Sequence, residues 1–462
     1  MIRIFKHYVP YAVLMLGLVD LIVLIGAAEA AWVIRARQIG MDVEAATSRA
    51  MPLLSFAIAI QAAMVAVGVY GSEALQSLRD AVSRLLIAIS LGIIFQSFFY
   101  FLSPDWTLWR SNSLYAMIIS TIALILIRVL LGSVVGGEVF KRRLVVLGAG
   151  PRADRIRKLE KRPSASFIVV GYVGMRDGEH VVAEAINRSA IENLANHVVK
   201  LNASEVVLAL EERRNAIPMK DLLRIKTTGV HVNDLSTFLE RETGRVDLDS
   251  VNPSWLIFSD GFSAGRRISS IAKRLFDVTV SAAVLLLTWP LILIGALLVR
   301  IDSKGPAFYT QQRVGLYGQE FRIIKLRTMK VDAEEDGIAV WAEKDDPRIT
   351  RLGYWLRKLR IDELPQCWVV LTGAMSFVGP RPERKQFVRE LEKDLRYYAE
   401  RHMVKPGITG WAQINYPYGA NLEDARHKLE YDLYYAKNYT PFLDLLILLQ
   451  TARVILWSDG AR

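Results

Sequence analysis

The chain has 462 residues, more than one ordinary hydrophobic core can organise, so two or three domains are expected. Apolar residues make up 52% and the mean hydropathy is +0.24, high for a soluble protein and low for an all-membrane one, so a membrane block joined to soluble domains is expected. The formal charge of +11 suits anionic headgroups or phosphorylated substrates, and nucleic acid is set aside because the cations are interleaved with apolar stretches without a zinc-finger or RRM pattern.

The first third carries four apolar segments, 11–34, 52–70, 85–102 and 114–135, each near the roughly 20 residues that cross a bilayer core. The start does not read as a cleavable signal peptide, since no small-residue cleavage site comes after Arg3, Lys6 and His7. Asp20 and Glu29 interrupt the first segment. A carboxylate at the bilayer centre costs about 2.5–3.5 kcal/mol on insertion scales, so polar packing between helices is expected for them. Arg3 and Lys6 precede the first segment and Lys141, Arg142 and Arg143 come after the fourth, which puts both groups on the cytoplasmic side. Arg35, Arg37 and Arg49 in the first loop run against that trend.

Leu144–Leu147 then reads as a buried strand running into the turn Gly148-Ala149-Gly150-Pro151, with further strands at Phe167–Val173 and Glu205–Leu210. Helical stretches at Ala190–Leu201 and Met219–Thr228 complete a small doubly wound α/β, Rossmann-like domain. Its glycine turn is a poor nucleotide signature. Pro151 replaces an amide that could contact phosphate, and no acidic residue clearly ends the second strand. A structural or dimerising domain is the reading it favours.

A fifth apolar segment, Leu275–Val299, is bracketed by Lys273-Arg274 and Arg300, with Pro290 past its middle. A full crossing would put the residues after Arg300 on the opposite side of the membrane from the α/β domain, so a helix that bends at the proline and returns to the same face is expected. Farther on, Arg351–Leu359 mixes cations with Tyr354 and Trp355, as a helix in the headgroup layer would. Pro441–Trp457 reads as a second amphipathic helix. The single cysteine, Cys367, rules out intrachain disulfides and is expected to be a packing residue.

The chemistry concentrates at Asp362-Glu363. Two adjacent carboxylates can divide labour between nucleophile or metal ligand and base or second ligand. Arg348, Arg351, Arg357, Lys358 and Arg360 before the pair, and Arg381 and Arg384 after it, would offset repulsion from a phosphorylated substrate. Helix capping by Asp362, with Pro365 just inside the helix, is the structural alternative.

From about Arg267 to Trp457 the chain resembles the monotopic polyprenyl-phosphate phosphoglycosyl transferases, the bacterial sugar transferase family that initiates lipid-linked glycans. The matching pieces stand in family order: Lys273–Asp277, Gln312–Gly315, Phe321–Met329, Asp346–Gly353, Asp362–Gln366, Val378–Pro382 and Lys405–Gln413. The four preceding spans and Rossmann-like domain are similar to long-form members that make exopolysaccharide or O-antigen precursors. The resemblance implies three domains: a span domain at 1–137, a Rossmann-like α/β domain at 138–262, and a mainly α catalytic domain at 263–462 with a re-entrant helix at 273–300. It implies attack by Asp362 on the β-phosphorus of a UDP-sugar, with UMP released, and transfer of the sugar phosphate to polyprenyl (undecaprenyl) phosphate. Glu363 would serve as base or metal partner, with Mg²⁺ held by Asp362 and Glu363. Arg357 and Arg381 would bind phosphate, and Lys325, Arg327, Arg348 and Lys405 would be further substrate-binding cations. Lys273, Arg274 and Pro290 would anchor the helix among membrane lipids, although Trp289 replaces the small polar residue that often precedes that proline. The expected location is the cytoplasmic membrane of a bacterium, with the catalytic domain on the cytoplasmic face and a homodimer as a further expectation. Two rivals stand beside this reading. One is a membrane-bound nucleotide-sugar dehydratase or epimerase, whose Tyr-x-x-x-Lys pair is matched by Tyr354-x-x-x-Lys358 only far past the glycine turn and reads as chance, and the other is a non-catalytic scaffold of polysaccharide assembly.

Overall fold

The computed structural model describes the chain from Ile2 to Trp457, apart from residues 5–6, 10, 43–45, 71–77, 135–140, 163–164, 177–180, 212–217, 252–266, 331–345 and 418–420. The chain divides into two compact units whose main parts are Tyr8–Thr243 and Gly244–Arg462. The domain boundaries expected near 137 and 262 lie outside the described residues.

Each of the four expected spans is a helix: α1 Tyr11–Gln38, α2 Ala50–Val67, α3 Leu78–Leu102 and α4 Arg110–Val134. Val13–Gln38, Thr47–Val67 and Pro104–Leu130 are long and apolar enough to cross a membrane, whereas the apolar stretch of α3, Ala81–Ser97, is shorter. Leu24, Phe56, Ile60, Met64, Leu85 and Leu124 fill the centre of the bundle. Ile22, Ile58, Ile94 and Ile122 stand exposed outside, the all-round apolarity that suits lipid. Asp20 is buried and paired, as a charge at this depth must be. Arg128 grips its two oxygens at 3.0 and 2.6 Å, and the Tyr70 hydroxyl donates to it at 2.9 Å. Glu29 pairs with Arg49 at 2.5 Å, and that guanidinium lies 5.3 Å over the Trp32 ring. Arg49, one of the loop cations that broke the charge trend, therefore serves the bundle.

The α/β fold is a five-stranded sheet of β1 Arg142–Leu147, β2 Phe167–Gly174, β3 Ile186–Asn187, β4 Glu205–Leu208 and β5 His231–Asp234. The order β3-β2-β1-β4-β5 with parallel pairing throughout is the doubly wound arrangement. The short strands β3 and β5 escape sequence reading because neither carries a long apolar run. Where the strand order reverses, protein groups bridge the strand ends. Gly148 has φ 125°, and a Cβ there would strike the Ala209 carbonyl. Arg152 donates to the Leu210 carbonyl at 2.6 Å. Among the described residues four helices, α5 Pro151–Glu160, α6 Leu194–Lys200, α7 Met219–Thr227 and α8 Leu235–Thr243, accompany the sheet, and Pro151 takes the first helical position of α5, where no amide is needed.

In the second unit, Arg267–Asp302 (α9) is one helix of 36 residues with Pro290 inside it. Both of its ends are fastened to the more C-terminal part of the same unit. Near the start, Lys273 bonds to Asp444 at 2.7 Å, and Asp277 accepts from the Ser376 hydroxyl and the Phe377 amide at 2.8 and 2.9 Å. Near the end, Gly295 leaves room for Leu326, Leu356 and Ile361, and Arg327 takes the carbonyl of Ser303 at 2.7 Å. Between these anchors Leu286, Leu287, Trp289 and Leu293 are exposed.

A hairpin of β6 Phe308–Val314 and β7 Glu320–Leu326 and a parallel pair of β8 Ser376–Val378 and β9 Gly407–Thr409 frame the remainder. Gly379 and Gly407 are required because their backbones touch. A Cβ on Gly379 would meet the Lys405 carbonyl and the Gly407 amide. Val378, Leu429, Leu433, Tyr435, Leu443 and Ile447 form the core behind the strand pair. The helix Pro441–Trp457 therefore buries part of one face in protein.

Candidate active site

Asp362 and Glu363 owe their placement to a break between two helices. Thr350 caps Arg351–Lys358 (α10), accepting from the Gly353 amide at 2.9 Å. Arg360 then turns left-handed at φ 58°, a conformation that costs a non-glycine residue of order 1 kcal/mol or more. A single 3₁₀ turn, Ile361–Glu363, comes next and buries both carboxylates before the helix Gln366–Thr372 (α11) begins at Pro365. Asp362 makes no side-chain cap bond, so the capping alternative is set aside.

The two carboxylates are unequal. Glu363 accepts from Lys325 Nζ at 2.8 Å and Arg381 Nη2 at 2.9 Å on one oxygen, and from Arg360 at 3.4 Å on the other. Burial alone would raise its pKa, but Lys325, Arg381 and Arg360 outweigh burial and hold it well below the usual carboxylate range. Burial pulls the Lys325 ammonium below its ordinary value despite Glu363 beside it. Asp362 lacks such partners, and its Oδ1 is buried without a hydrogen bond. Burial, and then the neighbouring charge of Glu363, push its carboxyl up to about 6, with Lys325, Arg357 and Arg381 pulling the other way. Environments that drive two adjacent acids apart assign them different tasks. Glu363 is locked by cations, whereas the Asp362 Oδ1 has no hydrogen-bond partner.

Of the other expected site residues, Arg357 adds positive field at Asp362, and Lys325 and Arg381 meet the pair through Glu363. The remainder are engaged with the protein. Arg327 lies beyond the end of β7 and binds the carbonyls of Ser303 and Lys304, the two residues just past the end of α9. Lys405 and Arg274 do the same for α11, taking Gly373, Val370 and Leu371 carbonyls at 2.6–2.7 Å. Arg348 forks onto Asp346 at 2.9 and 2.6 Å. Lys273 is bound to Asp444 and to the Val378 carbonyl. Tyr354 is exposed on α10, and Lys358 rests 5.1 Å from the Trp355 ring centroid, an interfacial pattern rather than a proton-relay pair. Asp277, whose bonds to Ser376 and Phe377 fix the strand before Arg381, stood in the sequence as the last residue of the matching piece Lys273–Asp277, without a role. Cys367 is buried as expected, and burial pushes its thiol up to about 12.

This geometry meets an independent finding. The family described as bacterial sugar transferase matches residues 268–458, the stretch that holds every residue of the site. The chain is 41% identical over 241 residues to the UDP-N-acetylgalactosamine-undecaprenyl-phosphate N-acetylgalactosaminephosphotransferase of Aeromonas hydrophila, covering 52% of this chain and 56% of that one. It is 32% identical over 319 residues to the UDP-glucose:undecaprenyl-phosphate glucose-1-phosphate transferase of Klebsiella pneumoniae, covering 67% of each chain. It is 43% identical over 190 residues to the uncharacterized sugar transferase EpsL of Bacillus subtilis (strain 168), covering 41% of this chain and 90% of that one. The chain thus spans only a little over half the length of the first relative. It belongs to the bacterial sugar transferase family, and its apolar N-terminal helices fit the long form.

Proposed function

We propose that this chain transfers a sugar-1-phosphate from a UDP-sugar to polyprenyl phosphate, giving polyprenyl-diphosphate-sugar and UMP. The observation that carries the reading is the buried Asp362 carboxylate, with a partnerless oxygen beside a cation-locked Glu363, in a chain of this family. In the first step an Asp362 oxygen bonds to the β-phosphorus as the bond from that phosphorus to the bridging oxygen breaks, and UMP leaves with that oxygen. In the second step a phosphate oxygen of the polyprenyl carrier bonds to the same phosphorus and frees Asp362. Arg381, Lys325 and Arg357 offset the charge gathered on the phosphoryl oxygens. Glu363, held ionised by its cations, suits the part of charge anchor better than that of a base at neutral pH.

Among the described residues no group of three or more His, Cys, Asp or Glu is placed to hold a metal ion. Mg²⁺ needs only one or two carboxylates when substrate phosphates and waters complete its shell. The free Asp362 Oδ1 fits that requirement, and Glu363 would join only if Lys325 or Arg381 gave way. Bound there, Mg²⁺ would neutralise diphosphate charge.

The fastening of both ends of α9 to one domain supports re-entry. A full crossing would put some 30 Å of hydrocarbon between those ends, and one folded domain cannot hold both from a single face. The cations around the N-terminal spans support a cytoplasmic catalytic domain in the bacterial inner membrane.

UMP release from a panel of UDP-sugars, in membranes containing polyprenyl phosphate and Mg²⁺, tests the reading. One donor should yield UMP, and Asp362→Asn should abolish it. Absence of UMP with every donor, alongside an active control enzyme in the same membranes, overturns it.

A further inference from the structure

The segment Val378–Glu383 contains two prolines, so it has fewer amides than an ordinary loop with which to fix itself. Its carbonyls are instead taken from outside. Lys273 and Tyr435 donate to Val378, the Gly407 amide to Pro380, Arg401 to Arg381, Arg313 to Pro382 and the Val314 amide to Glu383. The bond from Arg401 Nη2, at 3.0 Å, falls on the residue whose side chain holds Glu363.

Arg401 is itself fixed on its other sides. It is buried, and Asp432 accepts from its Nε at 3.0 Å and its Nη2 at 2.7 Å. Its Nη1 donates to the Tyr398 hydroxyl at 2.7 Å. Beside this cluster is a cavity of about 30 Å³, lined by Glu383, Tyr398, Arg401, Lys428 and Asp432 among others. Side-chain packing is thus incomplete behind the loop, and among the bonds that hold it the one from Arg401 falls on Arg381 itself.

We infer that Arg401, backed by Asp432 and Tyr398, is a positioning residue that sets Arg381 onto Glu363 and the substrate phosphate. The inference rests on the transferase reading for its kinetic consequences and on geometry alone for the placement. Without the bond, Arg381 drifts from the carboxylate pair while Lys325 and Arg360 remain. Displacement of a phosphate-binding group by about 1 Å lowers kcat/KM by about 10²-fold.

The test uses full-length protein in lipid nanodiscs. In the pair Arg401→Met with Asp432→Leu, the buried ion pair is replaced by apolar groups of similar bulk, an exchange that folded proteins often tolerate. Arg401→Lys keeps a cation for Asp432 but not the fork that also reaches the Arg381 carbonyl. Both variants should lose kcat/KM by about 10²-fold. In both, the acidic limb of the pH profile should move to higher pH, because one cation beside the carboxylates has receded. Amide exchange over residues 376–384 should quicken in both variants, and this readout stands even if no sugar donor is ever found. A folded pair variant with unchanged kcat/KM and an unmoved acidic limb overturns the inference. Unchanged loop exchange in Arg401→Lys also overturns it, whether or not the pair variant folds.

Discussion

At the scale of single residues, the site trades stability for reactivity. Asp362 titrates at about 6 in the folded protein and near 4 in an unfolded chain, so the folded state binds its proton more tightly. Its favourable contribution is complete below about pH 4 and is lost as pH rises through about 6. Above that, the buried charge costs about 3 kcal/mol. Asp362→Asn should therefore unfold at a higher temperature than the parent at pH 8, with the gap closing toward pH 4, as thermal melts in one detergent would show. Under the proposed mechanism activity has the opposite dependence, because an attacking carboxylate must be ionised. UMP release at donor concentrations well below KM, which reports kcat/KM, should rise through an apparent pKa near 6, and a profile flat from pH 5 to 8 would count against Asp362 as nucleophile. Glu363→Gln removes the anion that Lys325, Arg360 and Arg381 share, and should cost about 3 kcal/mol or more in the same melts.

At the scale of elements, glycines and one proline decide what can approach what. A Cβ on Gly353 would meet the Thr328 carbonyl, so Gly353→Ala should push α10 off the strand end, lower activity and weaken thermal stability by about 1–3 kcal/mol. The apolar helices were readable because long apolar runs and basic brackets specify them, and β1, β2 and β4 of the α/β sheet because of short apolar runs that β3 and β5 lack. The partners of cations were not readable. Lys325 and Arg327 stand two residues apart, yet one meets Glu363 and the other the end of α9, because β7 stops at Leu326. A list of charges does not disclose which helix ends have carbonyls to satisfy, and those ends claimed Arg274, Arg327 and Lys405. Asp362 and Glu363 were legible as a pair, but their inequality arises from contacts with residues 18 and 38 positions away.

At the scale of the whole molecule, the buried Asp20–Arg128 pair ties the first and last helices of the bundle across 108 residues of sequence. Asp20→Asn should loosen the bundle by about 3 kcal/mol, whereas Asp20→Leu with Arg128→Met should recover most of that loss, as melts in matched lipid would report. Such a pair joins elements that meet only after both have entered the membrane, so sequence shows the two charges and hides their meeting. Helix α9 has a different bearing on the bilayer. Held at both ends by one domain and exposing leucines between them, it would, as a re-entrant element, take up area in one leaflet and none in the other. The enzyme would then act as a wedge whose insertion energy depends on curvature. Turnover would be faster on small, strongly curved vesicles, where outer-leaflet lipids are spread apart, than on large flat ones of the same composition.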